Sequence, residues 1–286
     1  SKEIEKIGGV LNAYTSEEIT SYWNMLPSKH LLKGMEIASD LILNPRFDPI
    51  EFEKEKKVII EEIKMYHDTP AYYVPEKIKE LLYKKPFGMN VAGTAEIINK
   101  FKREDIFRIF NENYSTDNMV LAVVGDADFE QICEFGKSFP LNTRKAISYS
   151  PVKINSELVE KRKGIDQAHF ILGFHSPNLK QEQRYVNELF ISYLSEGMSS
   201  KLFQEIRAKR GLAYSVRGEI DYGENYGYST IYAGTTSEAV KEVKEIINLA
   251  NNDLFWDKIS SIQEIEHDGY VYDLSVPGNE SFVCNN

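Results

Sequence analysis

A strand hairpin followed by a capped helix is written twice into this 286-residue chain, and that repetition restricts the folds open to it more than any other feature. Val10–Thr15 and Ile19–Leu26, rich in Val, Tyr, Thr and Trp, flank the polar turn Ser16-Glu17-Glu18 and lead to a helix that Ser28 can cap. Much later, Tyr214–Ile220 and Tyr226–Ala233 form a second hairpin, and Ser237 caps a helix running through Ile247. Gly9, Ala13 and Tyr14 of the first copy stand where Gly211, Ala213 and Tyr214 stand in the second. A hairpin cannot bury its apolar face alone, so each copy needs helices against it. The alternation of strand and helix signals fits an α+β or α/β layer architecture, and the echo suggests a duplicated unit.

The intervening elements fit that plan. Leu31, Leu32, Met35, Ile37, Ala38, Leu41 and Ile42 make a broad apolar helical stripe that ends at Asn44-Pro45. Asp48 as N-cap, Pro49 at the first helical position and Glu51 beyond it predict a helix to about His67. Helices are also predicted over Pro75–Tyr83 and Arg103–Tyr114, and the apolar run Met119–Val124, closed by Gly125-Asp126, predicts a buried strand. Asn142–Ser156, which carries Pro151, reads as the linker. His169–Phe174 then reads as a strand, with helices over Tyr185–Leu194 and Ser199–Arg210, the latter stopped by Gly211. The expected domains are residues 1–150, 151–250 and a short β tail over 251–286, with strands around Lys258–Ile265 and Tyr270–Val276.

Composition removes several function classes. With 34 Lys plus Arg against 44 Asp plus Glu the net charge is −10, which repels nucleic-acid phosphates and anionic lipid. Met119–Val124, the longest aliphatic stretch, is far short of the roughly 20 residues that cross a bilayer. The two cysteines, Cys133 and Cys284, form no CxxC pair, so a disulfide framework and a cysteine zinc site are not expected. A reducing, cytoplasmic setting fits. The start, Ser1-Lys2-Glu3-Ile4-Glu5-Lys6, lacks signal-peptide character and reads as the interior of a longer polypeptide.

Few residues are candidates for chemistry. Glu55 and Glu62 stand seven residues apart on one helix, close to two turns, so both carboxylates share a face with Val58. They are about 10 Å apart along the axis, too far for both to reach one zinc ion at its roughly 2 Å bonds. Glu53, Glu55, Glu61 and Glu62 also alternate with Lys54, Lys56, Lys57 and Lys64, which suits a merely solvated face of ion pairs. Spacing leaves both readings open. His169 and His175 are about 20 Å apart along a strand, and His67 lies about 140° around the helix from Glu62. His30 and His267 stand alone in sequence, so no histidine pair is supplied. Arg207 and Tyr214 bracket Gly211; their donors suit a carbonyl or a developing oxyanion, and equally an ordinary surface junction.

Ile7-Gly8-Gly9-Val10-Leu11-Asn12-Ala13-Tyr14-Thr15, Phe52–Glu62, Pro86-Phe87-Gly88 with Gly93-Thr94, and Gly197–Arg207 through Gly211-Leu212-Ala213-Tyr214-Ser215-Val216 together resemble the pitrilysin/insulinase family of zinc metallopeptidases, peptidase family M16. The resemblance covers roughly residues 1 to 248. It implies an α+β fold, two related strand-rich α/β sandwich units of the LuxS/M16-like metallohydrolase type plus the short β tail, with the two units enclosing a chamber for short or unfolded peptides. It further implies Glu62 as third zinc ligand, Glu55 as accessory carboxylate, and Asn12, Ala13, Tyr14 and Thr15 on an edge strand that takes substrate by main-chain hydrogen bonds. Arg207 and Tyr214, from the second unit, would hold the peptide and stabilise the tetrahedral oxyanion.

The departure from the family pattern is the absence of H-x-x-E-H, whose two histidines bind zinc and whose glutamate activates water. In the family that motif precedes the third ligand by about 75 residues, and 61 residues precede Glu62 here. The chain as given is therefore expected to be neither zinc-replete nor proteolytic. It reads as part of a metalloendopeptidase acting through metal-bound water, or as a non-catalytic peptide-binding or structural subunit. Expected partners are a peptide or unfolded polypeptide and a second M16-like chain in a homodimer or heterodimer, with no nucleic acid and no membrane. Residues Asp268–Val283, including Tyr272, Asp273 and Leu274, resemble the penultimate block of an intein, which marks the tail as a remnant of a splicing element. Glu280 stands where many inteins have histidine, and no terminal His-Asn follows.

Overall fold

Gly8, with φ at 78°, turns the chain out of a first helical turn, α1 (Lys2–Lys6), into the hairpin β1 (Val10–Thr15) and β2 (Thr20–Met25). This is a computed structural model, and it describes residues 2–143, 149–165 and 167–252. The two strands are antiparallel, with Val10 opposite Met25 and Thr15 opposite Thr20. They form a two-stranded sheet, so β1 keeps one edge free among the described residues. Helix α2 (Leu31–Leu43) lies against β2, and buried Gly34 lets it approach Leu26 and Asn24, whose amide donates to the Gly34 carbonyl at 3.0 Å. Ser28 does not cap α2. It opens a 3₁₀ turn, Ser28–His30, and its hydroxyl meets no amide of the helix start.

Helix α3 (Pro49–Asp68) begins as its cap chemistry requires, with the Asp48 carboxylate accepting from Ile50 N at 2.9 Å and Glu51 N at 3.1 Å. Helix α4 (Pro70–Leu82) starts five residues earlier than expected, because Pro70 takes the first position and Pro75 falls inside. Pro75 has no N–H for the Ala71 carbonyl, and Arg217 of the second sheet donates to that carbonyl at 3.5 Å instead. Three further helices follow: α5 (Ala95–Lys100), α6 (Arg103–Asn113) and α7 (Phe129–Lys137).

Met119–Val124 is not a strand. It joins no ladder, and Val124 is fully exposed. β-propensity stabilises a segment only through neighbours across a ladder, and none is placed beside this one among the described residues. The expected linker is partly structured: Lys84 N donates to Val152 O and Ile154 N to Leu82 O, tying it to the end of α4.

The second sheet has the order β3-β5-β4, antiparallel throughout, from β3 (Ala168–His175), β4 (Ala213–Tyr222) and β5 (Gly227–Thr235). Helices α8 (Gln183–Ser195) and α9 (Val240–Asn252) and a π turn, Phe203–Ala208, complete it. The expected helix over Ser199–Arg210 is thus mostly a π turn. Leu194, Leu202, Ile206, Ile231, Val243 and Ile247 are fully buried and form the main core. Helix α4 links the two sheets: Ile78, Leu82 and Tyr83 pack with Tyr226, and Gly173 of β3 leaves the space that Ile78 fills. No helix among the described residues is long and apolar enough to cross a membrane. Tyr272, Asp273 and Leu274, with His267 and Cys284, lie outside the described residues.

Candidate functional site

Helix α3 is fixed at both ends. Before it, Phe47 adopts a left-handed φ of 44°, held by Arg103, which donates to its carbonyl, and by edge contacts with Phe107 and Phe110 at 5.1 and 5.6 Å. After it, Arg162 donates to the His67 carbonyl while stacking 4.1 Å from the Tyr73 ring centroid. Arg162 also donates to Glu160 and holds that carboxyl below the usual range.

Between those anchors the carboxylates of α3 divide into two kinds. Glu51, Glu53 and Glu61 pair with Lys54, Lys56 and Lys64, each at i,i+3. Glu55 and Glu62 are exposed, with no hydrogen bond or ion pair to the described residues. The cause is local: their i±3 and i±4 neighbours include Val58, Ile59, Met65 and Tyr66, and no lysine. Val58 and Met65 are themselves more than half exposed. The two free carboxylates thus rise from an apolar strip rather than from the ion-paired face that the Lys/Glu alternation suggested.

Asn12, Ala13, Tyr14 and Thr15 lie exposed on β1. The Asn12 Oδ1 accepts from Ala13 N at 2.8 Å. Arg207 and Tyr214 are brought together. Gly211, with φ at 62°, reverses the chain after the π turn, so that Arg207 lies between the Phe203 and Tyr214 rings, 4.9 and 5.0 Å from their centroids. Both side chains are exposed, and the guanidinium meets no acceptor among the described residues. No hydrogen bond, ion pair or ring contact among the described residues joins Glu55 or Glu62 to this pair.

The histidines have separate partners, as their spacing requires: His169 Nδ1 lies 2.7 Å from the Tyr232 hydroxyl, and His175 Nε2 lies 3.0 Å from the Ile154 carbonyl. Burial holds His169 below its ordinary pKa. Among the described residues no three His, Cys, Asp or Glu side chains converge as a metal site. Zinc takes three or four protein ligands, and Glu62 offers one, so these residues by themselves do not fit zinc.

One charged cluster escaped sequence reasoning because its members are remote in the chain. Lys79 of α4 pairs with Glu17 of the β1–β2 turn, with side chains 9% and 12% exposed. Asp221 of β4 accepts from the Tyr226 and Tyr228 hydroxyls at 3.0 Å each. Burial, then the charge of Glu17, raises the Asp221 pKa; burial likewise raises that of Glu76, which accepts from Asn90. A carboxyl with a raised folded-state pKa destabilises the fold when ionised, and the effect fades as pH falls through that pKa toward the ordinary value near ~4. Asp221→Asn is therefore expected to gain in thermal midpoint relative to the parent as pH rises from about 4 to about 7, because only the parent ionises at this position. Thermal unfolding of both proteins at the two pH values checks this.

Residues 1–95 match the family model described as "Insulinase (Peptidase family M16)", and residues 100–254 match "Peptidase M16 inactive domain". The "Uncharacterized zinc protease YmxG" of Bacillus subtilis is 31% identical over 270 residues, covering 93% of this chain and 66% of that protein. A protease from Helicobacter pylori, solved by crystallography, superposes with TM-score 0.78 at 24% identity, over 87% of this chain and 63% of that one. A chain of "Complex III2 from Candida albicans, Inz-5 bound" gives TM-score 0.71 at 15% identity, over 90% of this chain and 64% of that one. These two structural likenesses show the mixed α/β fold. The chain spans less than two thirds of the length of each of these three proteins.

Proposed function

Because this chain belongs to peptidase family M16, we propose that it is the part of a zinc-dependent metalloendopeptidase that supplies the third zinc ligand, the substrate edge strand and the second-unit clamp. In this reading residues 1–150 and 151–250 are two related α/β sandwich units. Glu62 is the zinc ligand and Glu55 the accessory carboxylate. The observation that carries the reading is the pair Glu55 and Glu62 itself: exposed and unpaired on an apolar strip, beside Glu51, Glu53 and Glu61, which all hold lysines. A helix face kept only for solubility gains nothing from leaving two carboxylates without cations.

Asn12–Thr15 would take a peptide by adding it as a strand to the free β1 edge, with Ala13 N–H exchanging its bond to Asn12 for one to the peptide. Arg207, stacked between two rings yet with its donors free, would bind a peptide carbonyl, and the Tyr214 hydroxyl would donate to the oxyanion as it forms. The remaining zinc ligands and the water-activating glutamate would come from an H-x-x-E-H segment outside this sequence.

A second reading is a peptide-binding or structural subunit without chemistry. Its partner would be a second M16-like chain, in a homodimer or heterodimer. The reading frame upstream of Ser1 separates the two. An in-frame H-x-x-E-H, and hydrolysis of an unstructured peptide by the extended protein, are expected; a frame without the motif would leave the subunit reading. For residues 251–286 the proposal is a remnant of a splicing element, on the motif around Tyr272–Leu274.

A further inference from the structure

The turn between β1 and β2 carries two adjacent carboxylates that leave the hairpin toward different elements. Glu17 reaches Lys79 of α4. Glu18 reaches the turn between β4 and β5, where the Glu224 amide donates to both of its oxygens, at 3.2 and 2.9 Å. That approach depends on Gly223, because a Cβ there would overlap both the Tyr226 ring and the Glu18 carboxylate. Lys79 is itself immobilised, since Ile78 and Leu82 on either side of it lie in the core formed with Tyr226. The tip of the first hairpin is thus clamped between α4 and the tip of the second hairpin. Beyond the turn, Tyr22 is tied by its hydroxyl to Tyr114 at 2.9 Å, while β1 itself is exposed along nearly its whole length. A two-stranded ribbon has marginal stability alone, so its tip contacts weigh heavily in its order.

We propose that Glu17, Glu18, Lys79 and Gly223 form a latch that holds the β1 edge in register with the second sheet, making Glu17 and Glu18 positioning residues for a peptide added to β1. The latch rests on the edge-strand reading only for its use; its mechanics can be tested without substrate. It crosses between the sheets beyond the Tyr222 end of β4, the end remote from Tyr214.

Hydrogen–deuterium exchange of the full 286-residue chain is the test. Replacing Glu17 and Glu18 together by alanine leaves Lys79 in the field of Glu76 and Asp221, and is expected to speed exchange of the amides of β1 and β2 about tenfold beyond any change in β3, β4 and β5, the factor for losing ~1.4 kcal/mol of local protection. Glu18→Ala alone, which removes only the contact to the Glu224 amide, should give a smaller change of the same pattern. Unchanged hairpin rates, or an equal rise in β3 to β5, would overturn the latch. A second arm adds an unstructured Val/Thr-rich decapeptide. Protection of β1 amides in the parent chain, weakened about tenfold in affinity when both carboxylates are removed, supports the positioning role. If the hairpin loosens in the variant yet the peptide never protects β1, the latch stands and its role toward peptide is refuted.

Discussion

Lys79→Met is expected to destabilise the folded chain by about 3 to 5 kcal/mol, the usual cost of removing one partner from a buried ion pair. The methionine keeps the apolar stem and removes the charge, so packing is nearly preserved. What is lost is the ammonium that faces Glu17, with both side chains almost wholly out of solvent. Glu76 and Asp221 lie within its field as well: Lys79 lowers the pKa of each, against the burial that raises them. Without that cation, three carboxylates are left crowded where water screens them poorly. Urea unfolding gives the number, as a fall in midpoint at constant slope. Combining Lys79→Met with Glu17→Gln should recover part of the loss, because the second change removes a charge the first left unpaired. A shift below about 1 kcal/mol would mean that the pair behaves as a surface contact.

That cluster also marks where sequence reasoning ends. Lys79 and Glu17 are 62 residues apart, and each reads alone as an ordinary surface charge. Only the packing of α4 on β3, through Ile78 and the missing side chain of Gly173, brings Lys79 to the hairpin tip. Signals confined to one turn of helix were legible: Asp48-Pro49 started α3 as its chemistry demands. Arg207 and Tyr214 were legible only through the motif resemblance; the left-handed reversal at Gly211 that stacks one on the other is seen in the structure alone. Met119–Val124 was misread, since its composition states a preference for a ladder but cannot supply the neighbouring strand. Glu55 and Glu62 fall between these cases. Counting lysines along Phe52–Glu62 suggests a solvated face, whereas the i±3 and i±4 positions already show that no lysine can reach either residue.

In the protein extended to include an H-x-x-E-H segment, Glu62→Gln is expected to cut zinc affinity by about a hundredfold or more, since even groups behind the ligands are worth 10- to 100-fold. Glu55→Gln should leave the metal in place and lower turnover, because seven residues of helix put its carboxylate about 10 Å away along the axis. Neither change should unfold the chain. Both side chains are exposed and without partners, so stability is expected to stay within about 0.5 kcal/mol, and a loss of metal can be assigned to lost ligation. Elemental analysis after dialysis, beside a thermal unfolding scan, makes the comparison. Full zinc in Glu62→Gln would remove Glu62 from the coordination sphere and leave the apolar strip of Val58, Ile59, Met65 and Tyr66 as a docking face of the non-catalytic reading. Loss of zinc from both variants alike would mean that the helix, rather than one carboxylate on it, is what the metal requires.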